Sequence, residues 1–123
     1  MTDRLLIHIV DDDEWVRASL GFALDVAGYR VDHYADAAAF LARHQTEHGV
    51  LICDVRMPGM SGIELTRLLA EAHSNIPTIL MTGHADRAMR AEALAAGAAA
   101  VLEKPVALPV LLAEVERVTE GWI

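Results

Sequence analysis

Residues that can bind a metal ion or take part in group transfer follow short apolar runs at four places in the chain. Asp11-Asp12-Asp13-Glu14 follows the first run, Asp54 ends a later one, and Thr82-Gly83-His84 and Lys104-Pro105 follow two more. Carboxylates that lie close together raise one another's pKa, and a divalent cation relieves that repulsion. All-oxygen ligands favour a hard ion, and an open site that keeps several waters favours Mg²⁺ over Ca²⁺. If the fold brings these side chains together, the predicted chemistry is that of a Mg²⁺ site.

Lys104 adds a positive charge that would balance one remaining carboxylate and suit the site to an incoming cluster of anionic oxygens, such as a phosphoryl group. An Asp carboxylate can act as the nucleophile in phosphoryl transfer. In such sites a metal ion and a lysine hold the equatorial oxygens, and a hydroxyl group can donate to one of them. Asp54, Thr82 and Lys104 are therefore the candidates for the chemical step.

Taken singly, each of these residues also has a structural interpretation. Acidic residues at the start of a helix commonly act as caps and dipole partners, and we assign that role to Asp13 and Glu14. Asp54 could be the turn residue after a strand, Thr82 could end a β-branched strand, and Lys104 could be a solvated charge. The functional interpretation therefore depends on whether all of them meet at one edge of one sheet.

Two kinds of apolar segment alternate along the chain. Brief runs bounded by Gly, Pro, Asp or Asn are typical of strands, and three of the five are apolar at nearly every position, which predicts burial on both faces. The predicted strands are Leu5–Val10, Tyr29–Tyr34, Val50–Cys53, Thr78–Thr82 and Ala100–Glu103. The segments between them have apolar residues at helical spacing. The predicted helices are Trp15–Val26, Ala37–Arg43, Ile63–Ala72, Arg87–Ala96 and Leu108–Thr119.

Strands that alternate with single helices predict right-handed βαβ units and a parallel sheet covered on both faces. Five such units predict a doubly wound, flavodoxin-like α/β domain with strand order 2-1-3-4-5, because a closed barrel needs eight units. In that order the carboxyl ends of strands one, three, four and five lie at one edge, where ligands bind. We expect residues 1–123 to form a single domain, which either stands alone or is the amino-terminal part of a longer regulator.

Composition excludes several classes of protein. Ten Lys and Arg residues against 18 Asp and Glu residues give a net charge of −8, which argues against direct binding to nucleic acid. The hydrophobic content of 54% argues against general disorder. The apolar run that ends at Val10 is too short for a signal peptide, and no later run approaches the length of a membrane span. With Cys53 as its one cysteine, the chain is predicted to be soluble and cytoplasmic.

The motifs taken together closely resemble the receiver domain of bacterial two-component response regulators. The resemblance extends from Leu5 to about Val118. It rests on Asp11-Asp12, on Asp54, on the loop Met57-Pro58-Gly59-Met60-Ser61-Gly62, and on Thr82-Gly83, Ala96-Gly97-Ala98 and Lys104-Pro105. Each motif is weak alone, but their order and spacing are highly specific. The segments around Asp11-Asp12, Thr82-Gly83 and Lys104-Pro105 are most similar to receivers of the nitrogen-fixation regulator type, which carry a carboxyl-terminal helix-turn-helix.

The resemblance implies a signalling function rather than an enzyme acting on other substrates. Asp54 would accept phosphate from the phosphohistidine of a sensor histidine kinase, and the domain would assist only its own phosphorylation and dephosphorylation. Thr82 and Lys104 would hold the phosphoryl oxygens, and the Lys104-Pro105 peptide would be cis, the isomer that X-Pro bonds adopt at low cost. The implied Mg²⁺ ligands are Asp12, Asp54, the backbone carbonyl of Arg56 and, directly or through water, Asp11.

The chain departs from this family at Val101. An aromatic residue commonly occupies the position three before the lysine and rotates inward as the threonine moves, whereas a β-branched side chain has few rotamers and little reach. Either Thr82 and the loop from Thr82 to Arg87 carry the switch alone, or the response to phosphate is weak. Arg56 and His84, each two residues beyond a site residue, are predicted either to tune phosphate lifetime or to be ordinary solvated residues.

The surface of the fourth helix, fifth strand and fifth helix is the predicted face for phosphorylation-dependent self-association. The family often forms dimers through this face. Across a two-fold axis, Arg87 and Arg90 could pair with Glu114 or Glu116.

Three alternative functions compete with a phosphoacceptor role. A haloacid-dehalogenase-like phosphohydrolase also uses an Asp nucleophile, but Trp15 stands where that family places Thr or Val, and the chain lacks length for a cap domain. A pseudo-receiver that only binds proteins is the second alternative. Retention of every charged site residue argues against it, while Val101 leaves some room for it. A flavin or dinucleotide module is disfavoured because the first loop is acidic rather than Gly-rich.

Overall fold

Strands and helices alternate through the computed structural model, which describes residues 4–43 and 48–122. The elements are β1 (Leu6–Val10), α1 (Glu14–Val26), β2 (Arg30–Tyr34), α2 (Ala37–Arg43), β3 (Val50–Asp54), α3 (Gly62–Glu71), β4 (Thr78–Thr82), α4 (Arg87–Ala96), β5 (Ala100–Glu103) and α5 (Leu108–Val118). The bounds differ from the predicted ones by one residue at most. The helix α1, for example, begins at Glu14 rather than at Trp15.

The five strands form one parallel sheet in the order β2-β1-β3-β4-β5, which confirms the predicted doubly wound topology. Every residue of β3 and β4 is buried, as their continuous apolar character predicts. The order places β1 and β3 side by side, with β4 between β3 and β5. The carboxyl ends of β1, β3, β4 and β5 therefore meet at one edge.

Two apolar layers cover the sheet. On one face Leu24 of α1 and Leu111 and Val115 of α5 pack against β1, β3 and β4. On the other face α2, α3 and α4 pack against the sheet through residues such as Phe40 and Leu65. Because helices cover both faces of the sheet, a functional site is expected at the sheet edges and in the loops. None of the helices among the described residues has the length and apolar character that crossing a bilayer requires.

Helix caps fix where the loops at the carboxyl edge begin and end. The Asp13 side chain accepts hydrogen bonds from the N–H groups of Trp15 and Val16 at 2.9 and 3.2 Å, which confirms its predicted capping role. Ser61 forms a capping box with Glu64 at the start of α3. Asp86 caps α4 through the N–H of Met89. Each loop is therefore anchored directly at the first turn of the helix that follows it.

The histidines outside the edge show no ligand cluster. His33, His48 and His73, which share no ligand spacing, are exposed, whereas His44 lies outside the described residues. His8 on β1 is buried. Its Nδ1 is 3.2 Å from the Tyr34 hydroxyl and its Nε2 is 3.1 Å from the His48 carbonyl oxygen, so it is part of the core's own hydrogen bonding.

Gly62 lets the first turn of α3 pass directly beneath Asp54. A Cβ atom at this position would fall inside contact distance of the Asp54 carbonyl oxygen and would touch the Leu80 side chain. The Gly62 N–H also donates to the Val55 carbonyl oxygen at 2.9 Å. The glycine is required by this close approach of two backbones.

Gly62→Ala should destabilise the protein by about 1–3 kcal/mol, because the added methyl group must displace backbone rather than a flexible side chain. Thermal unfolding measures the change. Gly83→Ala is the matched control, since a Cβ at Gly83 meets nothing within 4 Å. Equal stability of Gly62→Ala and wild type would show that the two backbones are not in contact.

Candidate metal and phosphoryl-acceptor site

Three carboxylates meet at the carboxyl edge of the sheet. One oxygen each from Asp11, Asp12 and Asp54 lies within 4.8 Å of the others. Asp11 is fully buried at the end of β1, Asp54 is 7% exposed at the end of β3, and Asp12 is exposed. The strand order explains the cluster, because β1 and β3 are neighbours and Val10 pairs with Cys53, so that the next residues, Asp11 and Asp54, lie side by side.

Lys104 bridges the two buried carboxylates. Its ammonium lies 3.2 Å from Asp11 Oδ2 and 3.2 Å from Asp54 Oδ1. Burial alone would lower the pKa of Lys104, but the carboxylates of Asp11 and Asp54 outweigh it and raise that pKa above its usual value. The lysine is therefore held charged at the mouth of the site. The Lys104-Pro105 peptide that follows β5 is cis, as the family resemblance implied.

Asp54 is poised in an environment that disfavours its negative charge. Burial raises the pKa of its carboxyl group, and the neighbouring carboxylates of Asp11 and Asp12 raise it further, while Lys104 lowers it. The net direction is upward. Additional positive charge beside Asp54 would therefore favour its ionised form.

The donor set fits a hard divalent cation. All three clustered side chains offer carboxylate oxygens, and the exposed Asp12 leaves one side of the cluster open to water, which suits Mg²⁺. Arg56 follows β3 by two residues and is exposed, and the role of its backbone carbonyl as a further ligand stays a prediction.

The Thr82 hydroxyl is engaged with its own loop. Thr82 is buried, and its Oγ1 accepts a hydrogen bond from the His84 N–H at 3.2 Å and donates to the His84 carbonyl oxygen at 3.4 Å. This pairing was not predicted, since the sequence analysis assigned the hydroxyl only to phosphoryl oxygens. The His84 side chain is largely exposed, with Nε2 3.7 Å from Asp86 Oδ2.

Val101 is buried beneath α4 rather than lying on the surface. It is 8% exposed and packs in the same apolar cluster as Ala93 and Ala96 of α4. Its carbonyl oxygen accepts a hydrogen bond from Arg90 Nη1 at 2.9 Å, so a polar contact joins α4 to β5 at the position where the family carries an aromatic residue.

Two of the four charged groups predicted to pair across a dimer interface already have partners within the chain. Arg90 binds the Val101 carbonyl, and Glu114 accepts a hydrogen bond from Arg117 at 2.7 Å. Arg117 also donates to the Ala99 carbonyl oxygen at 2.8 Å. The two arginines thus cover the outer edge of β5, which is an edge strand of the sheet.

An apolar groove of about 520 Å³ opens beside the site between α1 and the loop after β5. Lys104 and Pro105 line one end of it, and Trp15, Ser19 and Ala23 line the α1 side. Trp15 is 79% exposed. Sequence analysis assigned no function to Trp15, although a large apolar side chain one residue into a capped helix is the signal that would have marked it.

Cys53 is chemically inert at this site. It is buried in the core, and burial followed by the charges of Asp54 and Asp11 raises the pKa of its thiol far above the usual value. The thiol donates to the Asp54 carbonyl oxygen at 3.3 Å. A thiolate nucleophile is therefore excluded at this position.

Asp54→Asn should stabilise the metal-free protein. Because the pKa of Asp54 is raised, its ionised form disfavours the fold at neutral pH, and this penalty is relieved as the pH falls below the raised pKa. Asn removes the charge, and Lys104 keeps its contact with Asp11. We expect a thermal midpoint a few degrees higher in EDTA at pH 7. The exposed Asp25→Asn should change little, and a lower midpoint for Asp54→Asn would contradict the electrostatic account.

Comparisons with known proteins agree with this geometry. Residues 7–116 match the response regulator receiver domain family. The chain is 47% identical to the transcriptional regulatory protein FixJ of Rhizobium meliloti (strain 1021) over 124 residues, which cover 100% of this chain and 60% of that protein. It is 40% identical to the C4-dicarboxylate transport transcriptional regulatory protein DctD of Pseudomonas aeruginosa. That match covers 93% of this chain and 25% of DctD. The chain therefore spans 60% or less of these relatives.

Solved structures show the same architecture. The crystal structure of FixJ-N superimposes with a TM-score of 0.88 at 45% identity and covers 100% of this chain and 98% of that one. The BeF3-activated DrrB receiver domain superimposes with a TM-score of 0.87 at 30% identity. That superposition covers 96% of this chain and 99% of the DrrB receiver domain. With a family match over residues 7–116 and 47% identity to a relative over its whole length, the chain belongs to the response regulator receiver domain family.

Proposed function

We propose that this chain receives a phosphoryl group on Asp54 from the phosphohistidine of a sensor histidine kinase, with Mg²⁺ bound at the acidic cluster. One observation carries the proposal: the buried Asp54 carboxylate lies between two other carboxylates and an ammonium 3.2 Å away. A carboxylate placed in this way is a nucleophile with positive charge at hand for the incoming oxygens.

In the proposed step an Asp54 carboxylate oxygen attacks phosphorus, and the bond between phosphorus and the donor histidine nitrogen breaks. The electron pair of that bond goes to the imidazole, which takes a proton from solvent. Mg²⁺ bound by Asp11, Asp12 and Asp54, with the Arg56 carbonyl, would neutralise charge on the transferring oxygens. Lys104, already beside Asp54, would hold one of those oxygens. Asp11 keeps Lys104 in position through the bond between its Oδ2 and the ammonium.

The Thr82 hydroxyl is the proposed link between phosphate and the interaction surface. It can donate to a phosphoryl oxygen only after it releases the His84 carbonyl oxygen, since a hydroxyl has one proton to donate. The released backbone belongs to the loop that leads into the Asp86 cap of α4. The proposed response is therefore a shift of this loop and of α4, the element that also contacts β5 through Arg90.

The proposed output is regulatory rather than enzymatic. The domain would assist only its own phosphorylation and dephosphorylation, at a rate that Arg56 and His84 tune from the mouth of the site. It would act in the cytoplasm as one receiver domain over residues 1–123. The relatives that it matches are longer transcriptional regulators, which supports a carboxyl-terminal DNA-binding output domain in the whole protein. A phosphorylation-dependent dimer through α4, β5 and α5 would use Arg87 and Glu116, because Arg90 and Glu114 have partners within the chain.

The groove beside Lys104 is the proposed contact surface for the kinase. A donor histidine must reach Asp54 over the same mouth that Lys104 lines, so the donor domain must cover the adjoining surface. Trp15 is exposed beside this apolar groove, and tryptophans are among the residues that contribute most to the binding free energy of protein interfaces.

Asp54→Asn should abolish the mass gain of one phosphoryl group that the wild-type chain shows after incubation with acetyl phosphate and Mg²⁺, because the amide is not a nucleophile. Intact mass spectrometry measures it. Asp86→Asn, outside the cluster, is the control and should label normally. Undiminished labelling of Asp54→Asn would refute the proposed acceptor, a wild-type chain that never labels would indicate a pseudo-receiver, and continuous turnover of phosphate esters would indicate a phosphohydrolase.

Trp15→Ala should slow phosphotransfer from a histidine kinase that phosphorylates the wild-type chain by about tenfold or more, because it removes a central contact of the proposed interface. Labelling by acetyl phosphate should be unchanged, since the small donor does not use the groove. Trp122→Ala removes the other tryptophan, which does not line the groove, and serves as the control. Equal loss with both donors would place Trp15 in the chemistry instead, and no loss with either would exclude the groove.

A further inference from the structure

Arg17 makes a contact with the acidic loop that the reaction described above does not use. Its Nη1 donates a hydrogen bond of 2.6 Å to the backbone carbonyl oxygen of Asp11. Arg17 lies in the first turn of α1, where a positive charge opposes the helix dipole. Helix stability therefore does not explain an arginine at this position, and the contact with Asp11 does.

The bond from Arg17 fixes the peptide unit that joins Asp11 to Asp12. Other bonds hold the peptides on either side of this one: the Asp11 N–H donates to the Tyr34 carbonyl oxygen at 3.2 Å, and the Asp13 N–H donates to the Asp11 carboxylate at 2.9 Å. The carbonyl side of Asp11 is held by the guanidinium. Rotation of that peptide would redirect Asp12, because the backbone of Asp12 begins there.

Asp12 depends on this support more than the other two carboxylates do. Asp11 and Asp54 are buried and share Lys104, whereas Asp12 is exposed and forms no side-chain hydrogen bond among those recorded for the described residues. The backbone of Asp12 is therefore the part of the residue that the loop holds in place. Groups that hold a metal ligand in its orientation without touching the metal commonly contribute substantially to the affinity for that metal.

We propose that Arg17 is a positioning residue for the metal site, which holds the peptide between Asp11 and Asp12 so that the Asp12 carboxylate faces the cation. The inference rests on the Mg²⁺ site proposed above. Arg17 touches neither the cation nor the phosphoryl group and acts through Asp11.

The charge of Arg17 has the opposite effect from its hydrogen bond. A guanidinium beside three carboxylates reduces their attraction for a cation, so removal of the charge alone would tighten Mg²⁺ binding. Loss of the hydrogen bond would loosen Asp12 and weaken binding. The sign of the change in Mg²⁺ affinity therefore separates a positioning role from a merely electrostatic one.

The test is a Mg²⁺ titration of Arg17→Met and Arg17→Lys in a Trp122→Phe background, followed by the fluorescence of Trp15, whose N–H binds Asp13 beside the site. Arg67→Met, which removes an exposed arginine of α3, is the matched control. We expect the Kd for Mg²⁺ to rise about tenfold in Arg17→Met, by less in Arg17→Lys, and not at all in Arg67→Met. At saturating Mg²⁺ the rate of labelling by acetyl phosphate should return close to that of wild type.

An unchanged or lower Kd in Arg17→Met would overturn the inference, as would an equal rise in Arg67→Met. If Arg17→Met does not fold, Arg17→Lys decides alone, because it keeps the charge and loses the fork of donors, and an unchanged Kd would then overturn the inference. A wild-type chain that shows no response to Mg²⁺ would refute the proposed metal site itself. A responsive wild type with an indifferent Arg17→Met would refute only the role of Arg17.

Discussion

The site depends on one contact, in which the buried carboxylates of Asp11 and Asp54 share the ammonium of Lys104. The rest of the domain holds these three groups in place. Asp11 directly follows β1, Asp54 ends β3, and Lys104 reaches both from beyond β5 at 3.2 Å each. Because β4 lies between β3 and β5, the long side chain of Lys104 spans the distance. The close approach at Gly62, the buried strands β3 and β4, and the caps on α1 and α4 all hold the atoms around this contact in place.

The same contact sets the charge balance of the site. Burial and the neighbouring carboxylates raise the pKa of Asp54, while the carboxylates of Asp11 and Asp54 raise the pKa of Lys104. In the proposed function, a bound divalent cation would add positive charge beside the three carboxylates before a phosphoryl group arrives.

The fold and the charged site were predictable from sequence because both follow from local rules. Continuous apolar runs mark β3 and β4, cap residues such as Asp13 and Ser61 mark helix starts, and parallel topology carries Asp11, Asp54 and Lys104 to one edge. Contacts set by side-chain rotamers were not predictable. The Thr82 hydroxyl bonds to His84, Arg17 reaches back to the Asp11 carbonyl, and Arg90 binds the Val101 carbonyl. The spacing of residues in the sequence does not show whether such a side chain bonds to the backbone or extends into solvent.

The replacement of an aromatic residue by Val101 changes how a signal can leave the site. Val101 packs in the core beneath α4 and has no freedom to swing outward, whereas its carbonyl oxygen is tied to α4 by Arg90. A shift of α4 would therefore strain or break a hydrogen bond rather than rotate a ring. In the proposed mechanism, the coupling between phosphate and the surface would start at Thr82 and pass through the backbone of its loop and through Arg90.

The structure of the chain with Mg²⁺ and beryllofluoride tests the account most directly. The account predicts the beryllofluoride on Asp54, with Lys104 and the Thr82 hydroxyl both donating to its fluorine atoms and the bond from Thr82 to the His84 carbonyl oxygen broken. A beryllofluoride bound to Asp54 while Thr82 remains on His84 would contradict the proposed link to α4. Its attachment to any other carboxylate would contradict the assignment of the acceptor.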